Sequence, residues 1–264
     1  KAHILGNLIV ANLGILLVSG ILSYIFARVS LKPIEQSHQA LEQFTADASH
    51  ELRTPLSAMK SEIEVLLMQQ KITDKQARHV LESNLEEIDS ITNLTRGLLS
   101  LARLEDQPIT IKAYPVDQLL KNAVKKLEPI AKVKGIKIVV ESENKQAKIK
   151  VDKSTFIESL VILLDNAIKF SKEGGQVLVE SRLSKDKMVL SIKDFGLGID
   201  KTDLPHVFDR FYQSQNHRNK LIDKGHGLGL SIAKQLLQKQ NCSVSIKSKK
   251  GEYTLAEVTA PLSS

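Results

Sequence analysis

From residue 4 to residue 27 the chain reads ILGNLIVANLGILLVSGILSYIFA, without one charged side chain. As a helix that run spans about 36 Å at ~1.5 Å per residue, enough to cross a hydrocarbon core of ~30 Å. Arg28 and Lys32 come directly after it with no small-residue cleavage pattern, so the run predicts a transmembrane helix over 4–27, not a signal peptide. The basic flank assigns the rest of the chain to the cytoplasmic side of a cell membrane. A buried core helix is the competing reading, and a stretch this long and apolar disfavours it. Ser19 and Ser23 form a small-xxx-small pair of the kind that packs membrane helices together.

Beyond Pro33, apolar residues recur at three- and four-residue spacing: Leu41, Phe44, Ala48, Leu52, Leu56, Met59, Ile63 and Leu66. They form one continuous helical seam. Gln69-Gln70-Lys71-Ile72 breaks the pattern, and Thr73 with Gln76 reads as the capping box of a second helix. Its seam is Ala77, Leu81, Leu85, Ile88, Ile91, Thr95, Leu98 and Ala102, closing near Asp106 and Pro108. Two long helices joined by a short turn predict an antiparallel hairpin over 28–108. A single hairpin leaves so long a seam unprotected, so the pattern predicts a homodimer, an all-α four-helix bundle with two helices per chain. Residues 29–49 read as helix and leave no room for a folded signalling module before His50. The chain opens at Lys1 rather than Met, so any sensory region is expected upstream.

From about Tyr114 the period changes. Val116, Leu119, Leu120, Ala123, Val124, Leu127 and Ile130 mark an amphipathic helix ended by Gly135. Strands are expected over 136–142 and 147–151, a largely buried helix over 154–170, and a hairpin of 176–183 with 188–193. A short helix over 204–211, a polar basic loop over 213–224, a helix over 228–240 and closing strands over 243–248 and 253–259 complete the pattern. Helices grouped with hairpins predict a layered α+β domain over 113–262.

Composition narrows the function classes. With 25% charged and 42% hydrophobic residues in 264, disorder and collagen-like repeats are excluded. Lys+Arg 37 against Asp+Glu 30 leaves a net charge of +7, a balance that suits either nucleic acid or an anionic membrane surface. Aromatic content of 4% with no Trp makes base stacking a poor fit, so no nucleic-acid partner is expected. The lysines between 132 and 153 read as a solvated face. Cys242 stands alone, which excludes an internal disulfide and a Cys-based zinc cluster.

The candidate chemistry begins at His50. It lies two residues from both Ala48 and Leu52, and each step of two turns a helix by about 200°, so the ring points away from the seam. Glu51 is adjacent, and Thr54, four residues on, shares the face. An exposed imidazole beside a carboxylate is a credible nucleophile, because the carboxylate can orient the ring and accept its proton. Pro55 removes a backbone donor and should bend the helix one turn after His50. Taken alone, an exposed helical His is most often a plain surface residue, and His3, His38, His79, His206 and His217 carry that reading.

Residues 44–56, FTADASHELRTPL, resemble the dimerisation and phosphoacceptor helix of sensor histidine kinases. Four further boxes of that family come after it in order. Asp165-Asn166-Ala167-Ile168-Lys169-Phe170-Ser171 resembles the N box and Asp194-Phe195-Gly196-Leu197-Gly198-Ile199 the G1 box. Phe208-Asp209-Arg210-Phe211 resembles the F box, and Gly225-His226-Gly227-Leu228-Gly229-Leu230 the G2 box. Each alone is weak. Together, across 33–262, they resemble a membrane sensor histidine kinase of a two-component system, and the short linker and the string ILLDNAIKF are similar to CiaH-type sensors.

That resemblance implies a dimerisation domain followed by a sandwich ATP-binding domain of the GHKL or Bergerat type, with a flexible lid over the nucleotide. It implies ATP and Mg²⁺ as cofactors, autophosphorylation of His50, and transfer to an aspartate on the receiver domain of a response regulator. Glu51 would serve as general base, and Thr54 would position water for dephosphorylation of the regulator. The nucleotide-binding residues it implies are Asn166, Lys169 and Phe170; Asp194, Gly196, Gly198 and Ile199; Phe208, Arg210 and Phe211; and Gly225, His226, Gly227, Leu228, Gly229 and Leu230. In this scheme Asp194 accepts from the adenine amino group, and Asn166 offers a hard amide oxygen to Mg²⁺. Lys169 reaches a phosphate, while Arg210, Arg218 and Lys220 offset charge on the transferring phosphoryl group. The three glycines at 225, 227 and 229 open a helix whose N–H groups suit phosphate oxygens, at a spacing that differs from the dinucleotide fingerprint.

One position departs from the family. A second Asn commonly stands four residues before the Asn of the N box, and here that position is Ile162, which can neither ligate metal nor position water. ATPases of the gyrase, Hsp90 and MutL type share the nucleotide fold but carry a Glu there and need no His-Glu-x-x-Thr helix. A weakly catalytic dimerisation scaffold, or a phosphatase-dominated protein, is the third class. Asp194-Phe195-Gly196 also invites a protein-kinase reading, which the absence of an HRD-like loop and a VAIK-like strand rejects.

Overall fold

The computed structural model describes residues 2–106, 108–144, 147–214 and 225–263. Two compact units divide the chain, Lys1–Glu51 and Leu52–Ser264. Helix α1 (Ala2–Leu67) runs unbroken through the apolar N-terminal stretch and both prolines, Pro33 and Pro55, so no turn separates the expected membrane helix from the expected bundle helix. Within it, Asn12–Lys32 is long and apolar enough to cross a membrane and none of it is buried.

Helix α2 (Asp74–Asp106) starts where the capping box puts it. The Thr73 N–H donates to Gln76 Oε1 at 3.1 Å, and the Gln76 N–H donates back to Thr73 Oγ1 at 3.4 Å, so two donors without helical partners satisfy each other's residues. Across the hairpin Ser83 Oγ donates to Glu62 Oε1 at 3.1 Å. Leu81, Leu85 and Ile88 of the α2 seam remain 69%, 59% and 50% exposed, and Leu56 and Ile63 of α1 are exposed as well.

The remainder is an α/β domain. Strand β1 (Lys112–Pro115), which the sequence pattern did not reveal, pairs antiparallel with β3 (Lys148–Val151) as a small separate sheet. Helix α3 (Val116–Val133) ends before Gly135, whose φ of +66° gives the left-handed residue that closes many helices. The main sheet contains β2 (Lys137–Ser142), β4 (Gln176–Ser184), β5 (Lys187–Asp194), β6 (Ser243–Lys249) and β7 (Tyr253–Pro261), in the order β2-β4-β5-β7-β6. Only β2 and β4 are parallel. Their connection contains β3 and helix α4 (Lys153–Phe170), and helix α5 (Gly229–Gln238) precedes β6.

Alternation along the strands sets the two faces. Val177, Val179, Leu190, Ile192 and Val258 turn inward onto Leu119, Leu120, Phe156, Leu160 and Leu164 of α3 and α4, making one buried core. The opposite face is polar, with Glu257 paired to both Arg182 and Lys247. Two expected helices are shorter than the pattern suggested. The one over 204–211 reduces to a 3-10 turn, Leu204–His206, and at its expected end Phe211 takes a left-handed φ of +62°. The one over 228–240 is α5. The expected basic loop lies mostly outside the described residues, and Arg218, Lys220 and His217 lie there with it.

Candidate active site

The phosphoacceptor candidate and its neighbours are on α1. His50 is exposed, as its offset from the seam requires, Glu51 is half-buried and Thr54 is exposed, while Pro55 is buried within a helix that continues on both sides. His50 and Glu51 belong to the first compact unit, and Thr54 with every other candidate belongs to the second.

In the α/β domain the chain-distant boxes converge. Asp152 caps α4 by accepting from the Thr155 N–H at 3.0 Å, which fixes the helix that carries Ile162, Asn166 and Lys169 one turn apart. These three face the glycine box. A Cβ on Gly225 would lie 2.9 Å from Lys169 Nζ, and a Cβ on Gly229 would lie 3.3 Å from Ile162 Cγ2 and 3.6 Å from Asn166 Nδ2. At either glycine a side chain would crowd these groups, and Lys169 or Ile162 would have to give way.

The Asp194 box is stitched to the same helix end. Asp194 closes β5 at 4% exposure and accepts from the Gly196 N–H at 3.0 Å. A Cβ on Gly196 would overlap the Phe170 carbonyl oxygen, to which the Leu197 N–H donates at 3.3 Å. A Cβ on Gly198, at φ +62°, would lie 2.3 Å from the Lys249 carbonyl oxygen, and the Ile199 N–H donates to Ser248 Oγ at 2.8 Å. Burial pushes the Asp194 carboxyl up to about 6, against the pull of the N–H groups bonded to it. The two glycines let β5 and its loop close against the Phe170 and Lys249 carbonyls, and the buried Asp194 carboxylate held there is an acceptor that suits an aromatic amine with its own N–H groups.

The F box leads into the glycine box. Phe208 is half-buried, with Lys234 Nζ 5.1 Å from its ring centre, and Arg210 is exposed. Phe211 is buried, and its N–H donates to the Gly227 carbonyl at 3.0 Å. From there Leu228, 4% exposed, enters α5, and Leu230 is half-buried in its first turn. Lys169 lies against Gly225, just before the start of α5, and a cation beside the free N–H groups of a helix start suits an anion.

Sequence reading missed one contact altogether. Ser90, Leu94, Gly97 and Leu101 share a face of α2 beside the seam, and α2 packs there against α5. His226 Nε2 donates to the Ser90 carbonyl at 2.8 Å with Ser90 Oγ at 3.1 Å, and a Cβ on Gly97 would lie 3.1 Å from Leu228 Cδ1. A glycine in mid-helix costs about 1 kcal/mol relative to Ala, and that was the available signal.

Residues 151–264 match the family described as histidine kinase-, DNA gyrase B-, and HSP90-like ATPase, and residues 40–107 match the His Kinase A (phospho-acceptor) domain. The chain is 34% identical over 225 residues to the sensor histidine kinase YkoH of Bacillus subtilis (strain 168), covering 84% of this chain and 48% of that protein. It is 32% identical over 243 residues to the sensor protein CiaH of Streptococcus pneumoniae (strain ATCC BAA-255 / R6), covering 92% of this chain and 54% of that protein. The chain therefore spans about half the length of the curated relatives it matches. Among solved structures it is similar to histidine kinase ThkA in complex with response regulator protein TrrA, with a TM-score of 0.67 at 16% identity over 84% of this chain and 61% of that one. At that identity the likeness shows the fold.

Proposed function

This chain belongs to the two-component sensor histidine kinases, and from that premise we propose that it is a membrane-embedded, dimeric, ATP-dependent protein-histidine kinase whose catalytic parts face the cytoplasm. Its parts are a membrane helix over 4–27, a dimerisation and phosphotransfer hairpin over 28–108, and an ATP-binding domain over 113–262. The observation that supports the reading best is the convergence of Asn166 and Lys169 on the glycine box, beside the buried carboxylate of Asp194.

Asp194 would accept a hydrogen bond from the adenine amino group, and Lys169 with the N–H groups that open α5 would hold the phosphates. Asn166 would hold Mg²⁺ through its single amide oxygen, a hard donor that suits an ion needing few protein ligands, and Ile162 would add none. When bound, the ion offsets phosphate charge. The exposed His50 imidazole forms a bond to the γ-phosphorus while the bond to the bridging oxygen breaks, and the electron pair leaves with ADP. Glu51 takes the ring proton. The phosphoryl group then passes to an aspartate carboxylate on a response regulator.

Incubation with γ-labelled ATP and Mg²⁺ tests this. The expected product is protein-bound label that is labile in acid and stable in base, absent from His50→Gln while ATP binding persists. Label retained in that variant would move the acceptor elsewhere, and inorganic phosphate alone would favour an ATPase. Thr54 lies one turn beyond His50, where its hydroxyl can hold a water in line with a regulator's aspartyl phosphate. Such orientation effects reach ~10²-fold in rate. Thr54→Ala is expected to keep autophosphorylation and transfer near normal while slowing decay of the phosphorylated regulator in the presence of ADP. Equal decay would remove that role.

A further inference from the structure

Asp203 lies outside every box of the site. Its carboxylate accepts from Tyr212 Oη at 2.7 Å on one oxygen and from Ser214 Oγ at 2.5 Å on the other. Both donors lie in the stretch of chain that leaves the F box. The Tyr212 ring is held by His206 as well, with centroids 5.4 Å apart, and the bond to Asp203 raises the Tyr212 phenol above its ordinary value, keeping it a donor. Asp203 itself is fixed by its backbone: its N–H donates to the Asp200 carbonyl at 3.1 Å, and its own carbonyl accepts the His206 N–H at 2.9 Å. Asp200 is tied in turn to Lys250 at 3.0 Å.

The residue before Tyr212 is the one this anchor holds. Phe211 sits at φ +62°, a left-handed conformation that costs a bulky side chain strain and persists only where its surroundings enforce it. In that conformation its N–H donates to the Gly227 carbonyl. Gly227 is itself at φ +68°, and a Cβ on it would lie 2.6 Å from both the Phe211 carbonyl carbon and the Tyr212 carbonyl oxygen. The two backbones touch, so the glycine box takes its direction from residues 211 and 212.

We propose that Asp203 is a positioning residue for the nucleotide site: by fastening Tyr212 and Ser214 it keeps Phe211 left-handed, maintains the clasp to Gly227, and so aims the N–H groups of Gly227, Leu228 and Gly229. This rests on the reading of that box as the phosphate subsite. The carboxylate acts through the backbone and touches no substrate.

The test uses the full chain in detergent, with calorimetric titration of a non-hydrolysable ATP analogue, steady-state kinetics, and hydrogen exchange at the Phe211 amide without nucleotide. Asp203→Ala is expected to weaken the analogue roughly tenfold and raise KM for ATP by a similar factor, with kcat within about twofold, because only uniform binding is lost. Phe211 exchange should quicken even with no nucleotide present. Tyr212→Phe combined with Ser214→Ala removes the same two bonds and should reproduce all three effects if Asp203→Ala folds poorly. Asp203→Asn retains one acceptor and should fall between. Unchanged affinity and exchange in the double variant would overturn the proposal, as would a fall in kcat at constant KM. A parent chain that binds no analogue would overturn the phosphate subsite and this inference with it, whereas parent binding matched by every variant would overturn the positioning role alone.

Discussion

Asp194 sets stability against function. Its carboxyl titrates near 6 in the folded chain, because burial outweighs the N–H groups of Gly196 and Thr254, and its ordinary value is 3.8. Between those two pH values the folded chain holds a proton that the unfolded chain has released. Stability therefore falls as pH rises through that window and levels off above it. Asp194→Asn removes the buried charge, so at pH 7 the nucleotide-free variant is expected to be more stable, by on the order of 1–3 kcal/mol, with the gap closing toward pH 4. The same variant should bind ATP more weakly, since an amide can present a donor where the adenine amino group needs an acceptor. Denaturant unfolding across pH and calorimetry with an ATP analogue read the two effects separately; a variant no more stable than the parent at pH 7 would contradict the burial argument. The Asp-x-Gly-x-Gly string made this residue legible in the sequence. Its burial was not legible, nor were Lys169 lying against Gly225 or Asp203 holding Tyr212 and Ser214. Those depend on which elements meet, and a lone Asp or Ser in a polar stretch carries no mark of its partner.

Elements whose ends are decided within a turn or two of chain could be read in advance. The Thr73–Gln76 box and the left-handed Gly135 are of this kind, and both sit where the local rules put them. Elements decided from farther away were misread. Strand β1 is four residues long and pairs with β3, and where a helix was expected over 204–211 the chain makes only the turn Leu204–His206, with Phe211 bonded to the distant Gly227. The junction of α4 with the end of β5 shows what such a meeting demands. Gly196 passes against the Phe170 carbonyl with no room for a side chain, while its N–H serves Asp194. Gly196→Ala must push these elements apart, at a cost of roughly 2 kcal/mol or more, and should abolish binding of an ATP analogue. Denaturant midpoints and calorimetry check both parts. An Ala variant of parental stability would mean that the junction yields more easily than this packing implies.

Across the whole molecule the unmet demand is the seam of the hairpin. The ATP-binding domain buries its own core, and α2 gives Leu94 and Leu101 a covered position, yet Leu81, Leu85 and Ile88 on the same helix stay half or more exposed, with Leu56 and Ile63 beside them in α1. Fully burying each such side chain is worth about 1.5–3 kcal/mol, so a row of them held in water is a considerable loss for one chain. The lost stabilisation is recovered if a second hairpin, carrying the same row, packs against it as half of a four-helix bundle. Symmetry favours that partner, because a row that complements its own copy needs no other protein. Removal of residues 1–27 should therefore leave a dimer in aqueous buffer, measured by light scattering coupled to gel filtration. Leu81→Glu with Leu85→Glu should convert it to a monomer, since a dimer would bury four carboxylates without partners. The ATP-binding domain does not depend on that row, so analogue affinity in the double variant should stay near the parent's. A truncated parent that runs as a monomer, or a Glu variant that stays dimeric, would place the dimer contact elsewhere on the chain.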